Sequence, residues 1–148
     1  MKKINVLLLS IFLTSCAVTT QIIPKTALTT SAIVKNSNTT KNQLYITAND
    51  WMIDQFVNAD SVLQFSDKEA GKLIGKYFLY GNTYTIYGQT ADNRIFAKIN
   101  ITVKDNAAKI EISPVADVKI NSKTALSTIK TKIKILVESF KLRMNSEK

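Results

Sequence analysis

The chain has 148 residues, a formal charge of +9, one cysteine and no histidine. Without histidine there is no Ser-His-Asp or Cys-His triad, and the commonest general base and most zinc sites are excluded. None of the four glycines falls in a P-loop or a G-x-G-x-x-G run, so no cofactor or metal is expected.

Residues 1–15 read as an export signal. Lys2 and Lys3 supply a positive start, and residues 6–13 (VLLLSIFL) form an apolar run. That run is far short of the ~20 residues a spanning helix needs. Leu13-Thr14-Ser15-Cys16 then matches a lipobox, with leucine, two small residues and a cysteine. Charge, apolar run and lipobox coincide, which predicts cleavage after Ser15 and lipidation of Cys16, palmitate included. Several acyl chains on one residue anchor stably where a single chain does not. Cys16 is the only cysteine, so it has no disulfide partner inside the chain. Ala17 follows it without an acidic run, the usual sorting pattern for an outer-membrane lipoprotein whose domain faces the periplasm.

What remains is one domain on a tether, with residues 16–25 as lipidated cysteine and tether and 26–148 as the domain. Its excess charge comes from scattered lysines, with only Arg94 and Arg143 as arginines. In that compartment nucleic acid is not an expected partner. The charge reads as solubility and attraction to anionic envelope components.

Residues 26–35 are β-branched and predict an edge strand. Thr40 with Gln43 fits a capping box, and apolar Leu44, Ala48, Trp51, Met52 and Phe56 follow on one helical face. Trp51 belongs to that stripe and is expected in the core. The period then changes to two. Residues 61–66, 72–80, 83–89, 95–104 and 109–113 read as strands, separated by turn residues that include Gly71, Gly81-Asn82, Asp92-Asn93 and Asp105-Asn106. Ile95, Ala97, Ile99, Ile101 and Val103 alternate with polar partners, the pattern of a sheet with one wet face. Residues 123–145 return to helical spacing, with Leu126, Ile129, Ile133, Val137, Phe140 and Met144 in a stripe. The expected order is β-α-β-β-β-β-β-α: an α+β two-layer sandwich, in which two helices cover one face of a curved antiparallel sheet.

The strings LYITANDWMIDQF and NADSVLQFSDKEAGKLIGK, followed by a strand pair and a final helix, resemble a bacterial domain of unknown function with a fold like that of the TATA-binding protein. The likeness runs over about residues 40–114. It rests on Trp51 and Phe56, on residues 59–62, and above all on Asp67-Lys68-Glu69-Ala70-Gly71-Lys72-Leu73-Ile74-Gly75-Lys76. After Lys76 the chain departs from the family's pattern, with a longer and Tyr-rich stretch at residues 77–90. The resemblance implies a fold and no activity, and DNA binding does not follow from the fold name.

Three groups stand out as candidates. Asp67 and Glu69 share one turn, where carboxylates serve turn geometry far more often than catalysis. Tyr77, Tyr80, Tyr84 and Tyr87, with Phe78, form an aromatic run that suits either cross-strand packing or a binding face. Ile135 and Leu142 point away from the helical stripe and from the lysines at 123, 130, 134 and 141, and are candidates for a partner contact. The expected function is that of a non-enzymatic envelope lipoprotein, held in the membrane through Cys16, with an envelope protein or glycan as partner. The alternative is an envelope enzyme working through the turn carboxylates.

Overall fold

Along residues 95–104 the alternation puts Ala97, Ile99, Ile101 and Val103 on one side, and all four are buried. That strand is the centre of the computed structural model, which describes residues 20–57 and 61–146. The expected export signal, Cys16, the first tether residues, Ala59 and Asp60 lie outside the described residues.

In chain order the elements are β1 (Gln21–Ile23), β2 (Thr30–Lys35), α1 (Lys41–Gln55), β3 (Val62–Asp67), β4 (Lys72–Tyr80), β5 (Thr83–Ile86), β6 (Gln89–Asp92), β7 (Ile95–Lys104), β8 (Ala107–Pro114), β9 (Val118–Ile120) and α2 (Lys123–Asn145). Five strands make one antiparallel sheet in the order β2-β8-β7-β4-β3. Both helices pack on one face of it, which is the expected α+β two-layer sandwich.

The start of α1 is fixed by its sequence. Thr40 accepts from the Gln43 amide at 3.3 Å, and the Gln43 side chain accepts from the Thr40 N–H at 3.0 Å, completing the capping box. The Asp105 carboxylate adds a third acceptor, 2.7 Å from the Lys41 N–H, and so ties the helix to the β7–β8 turn. Trp51 is buried, as its spacing predicts. Its indole N–H donates to the Ser139 hydroxyl at 3.1 Å, and Phe140 meets the ring edge-on at 5.3 Å. In α2 the expected stripe is buried or half-buried from Leu126 to Met144, joined by Ala125 and Leu136.

Two features differ from the expected order. Residues 83–89 are not one strand of the sheet. Tyr87 and Gly88 both take left-handed backbone conformations (φ 49° and 78°), so the chain turns after Ile86 and β5 pairs with β6 as a separate hairpin. Alternation looks the same in a hairpin arm and in a sheet strand, so periodicity did not separate them. The second difference lies in the expected tether: residues 21–23 pair antiparallel with Val118–Ile120 as a small second sheet. Its inner residues are apolar, with Val118 and Ile120 buried and Ile23 packed against the core.

Candidate functional site

With both helices on one side, no helix among the described residues covers the other face of the five-stranded sheet. Register fixes what stands on it. One row across the strands is Val62, Lys76, Lys98 and Ser113. The next is Phe65, Ile74, Asn100, Glu111 and Ser31. A third is Asp67, Lys72, Thr102, Lys109 and Ile33. A groove of about 700 Å³ runs over this face, with Phe65, Ile74, Lys76, Lys98, Asn100 and Ser113 in its lining.

Lys76 and Lys98 are direct cross-strand partners, and like charges so placed repel. The Lys76 ammonium sits 3.9 Å from the centre of the Phe96 ring, and that ring meets Phe78 edge-on at 5.9 Å. Among the described residues neither lysine has an ion pair; the nearby Glu111 is held by Lys109 at 3.2 Å. The Asn100 side-chain oxygen, also in this lining, is buried and has no hydrogen-bond partner. Two unneutralised ammonium groups beside apolar Phe65 and Ile74 suit a ligand with an anionic group and an apolar part.

A second groove, of about 740 Å³, shares Lys76 and Val115 with the first and continues to the base of the β5–β6 hairpin. Thr20, Tyr80, Arg94 and Lys119 contribute to it. Here Arg94 grips Asp92 with two hydrogen bonds of 2.9 Å. That guanidinium holds the Asp92 carboxyl well below the usual carboxylate range.

The four tyrosines read as one aromatic face do not form one. Tyr77 lies on the helix side of the sheet, half-buried against Phe56 at 6.1 Å, and burial pushes its hydroxyl pKa up. Strand alternation sends it there, opposite to Lys76 and Phe78. Tyr80 lies at the hairpin base, and Tyr84 and Tyr87 lie on the hairpin itself. The acidic turn is engaged locally. Asp67 accepts from the Ala70 N–H at 2.8 Å, Gly71 takes φ 64°, and the Glu69 carbonyl accepts from Lys41 at 2.7 Å. A side chain on Gly71 would run into the Val103 carbonyl. The turn of the resemblance is thus a fitted joint between β3, β4, β7 and α1. Ile135 and Leu142 are exposed on the outer side of α2.

The lysine pair was not found from the sequence. Alternation puts Lys98 on the wet side of its strand, but its neighbour across the sheet depends on register, which β4 alone does not reveal. Among the described residues no group of His, Cys, Asp or Glu is arranged to hold a metal, and no helix is long and apolar enough to cross a membrane.

No curated protein sequence matches the chain. Among solved structures, it is similar to a TBP-like protein from Parabacteroides distasonis, with 19% identity and a TM-score of 0.56 over 79% of this chain and 92% of that one. It is also similar to a DUF4468 family protein from Bacteroides ovatus, with 15% identity and a TM-score of 0.52 over 80% of this chain and 84% of that one. At such identities these two likenesses speak for the fold alone. The sequence profile of the domain of unknown function with TBP-like fold, DUF4468, matches residues 31–116, more than half of the chain, and the chain belongs to that family.

Proposed function

We propose that the protein is a lipid-anchored binding module of the cell envelope. In this reading Cys16 carries the lipid, the domain stands in the periplasm at the outer membrane, and the bare sheet face holds a ligand without chemical turnover. The observation that supports it most is the Lys76–Lys98 pair. Two facing ammonium groups with no acidic partner among the described residues weaken the free protein, and an anionic ligand removes that penalty. Phe65 and Ile74 beside them give the ligand an apolar footing. An anionic group on an envelope glycan or protein meets both requirements. Ile135 and Leu142 offer a second, smaller contact to a partner or to another copy.

The test is photo-crosslinking in cells. A photoreactive residue at Gln64, on the groove wall, is expected to give an adduct that disappears in the Lys76→Glu/Lys98→Glu variant. The same residue at Asn42, on the exposed surface of α1, is expected to give none. Equal adducts at both positions, or an adduct at 64 indifferent to the two lysines, would defeat the reading.

A further inference from the structure

The β5–β6 hairpin has two unlike sides. Register places Thr83, Thr85, Thr90 and Asp92 on one, and Tyr84, Ile86, Gln89 and Ala91 on the other. The polar side is joined internally: the Thr85 and Thr90 hydroxyls are 3.1 Å apart, and Thr83 donates to Asp92 at 3.4 Å. The apolar side is uncovered, with Tyr84 41%, Ile86 57% and Tyr87 fully exposed. Tyr87 also holds a left-handed backbone conformation at the turn (φ 49°), where Asn or Asp would be at less cost. An aromatic ring is thus carried at the hairpin tip against the local backbone preference.

The start of the described chain borders the same groove as the base of the hairpin. Thr20 shares one groove with Gly81, Asn82, Asp92 and Arg94. Cys16 is four residues before Thr20, a reach of ~14 Å at most even when fully extended. The four-residue arms of the hairpin span ~13 Å. A lipid on Cys16 therefore keeps this end of the domain within about one hairpin length of the bilayer. Lys119 and Arg94 line the groove between them.

We propose that the hairpin is a second membrane contact, which seats Tyr84, Ile86 and Tyr87 in the headgroup layer of a phospholipid bilayer. The proposal rests on the lipidation of Cys16. Tyrosine suits that layer because its ring is apolar and its hydroxyl stays wet. Lys119 at the base faces anionic headgroups, while Arg94 is held by Asp92. The lipid holds the protein on the membrane, and the hairpin sets which side of the domain faces it.

The full chain, purified with its lipid, is to be reconstituted into phosphatidylethanolamine/phosphatidylglycerol vesicles that contain a nitroxide-labelled lipid. Because Cys16 is acylated, Gln89→Cys and Lys130→Cys each offer a single thiol for an environment-sensitive fluorophore. The expected result is co-flotation with the vesicles and nitroxide quenching several-fold stronger at 89 than at 130. Tyr84→Ser/Ile86→Ser/Tyr87→Asn should bring position 89 down to the level of 130 with flotation unchanged. Flotation with equal quenching at both sites overturns the hairpin contact and leaves the anchor standing. A fluorophore at 89 that is shielded from aqueous iodide but unquenched by the lipid puts a protein there, and also overturns it. A chain with no acyl group on Cys16, which stays with the soluble fraction, removes the anchor and this proposal together.

Discussion

The two faces of the sheet are built from the same strands and differ in almost everything else. On β7 the helix side carries Ala97, Ile99, Ile101 and Val103, all at most 2% exposed, while the other side carries Phe96, Lys98, Asn100 and Thr102. Apolar burial against α1 and α2 stabilises the first face. The second holds repelling lysines, an unpartnered amide oxygen and half-covered aromatic rings. Under the proposed function, stability and recognition fall on opposite sides of one layer, and substitutions should sort by side.

The largest effect is expected at Trp51→Ala, which empties the α1–α2 contact and leaves the Ser139 hydroxyl without its donor. Truncating a large buried aromatic costs ~3–5 kcal/mol, to be read from denaturant unfolding of the detergent-solubilised chain. Gly75→Ala comes next. A Cβ there runs into the Phe56 ring and the Met52 methyl under α1, and overpacking of this kind costs about 1–3 kcal/mol. Ile135→Glu with Leu142→Glu should keep the fold, with each change within about 0.5 kcal/mol, because both residues are exposed. Collapse of this variant would move α2's outer side into the core and break the comparison.

The smallest effect is expected at the hairpin base. Arg94 lowers the folded-state pKa of Asp92 below its unfolded value, so the pair adds stability at neutral pH. That contribution fades as the pH falls through the ordinary carboxylate range toward the depressed folded value. The carboxylate is exposed to solvent, so salt screens the pair and the effect stays local. Asp92→Asn should flatten the acid dependence of the hairpin amide resonances, with overall melting unchanged.

Much of the covered face was legible in the sequence. Capping residues Thr40 and Gln43, the Trp51 stripe and the spacing of α2 each report a local geometry, and burial follows from it. The turn at Gly71 was legible through its glycine. Pairing between distant segments was not. β1 was read as tether because three residues give too short a signal, and its partner β9 lies almost a hundred residues on. The hairpin was read as one strand because its turn carries Tyr87-Gly88 in place of the usual Asn-Gly or Asp-Gly. The same limit hid the bare face: Lys76 and Lys98 become neighbours only once β4 and β7 are set in register.

The separation of roles is tested most directly on the Lys76→Glu/Lys98→Glu variant, measured twice. Unfolding of the purified chain should stay within about 1 kcal/mol of the original, because only the Lys76 contact with the Phe96 ring is lost and one like-charged pair replaces another. The photo-adduct at Gln64 should be lost in the same variant. A variant that unfolds early, or one that keeps its full adduct, would contradict the assignment of recognition to the bare face.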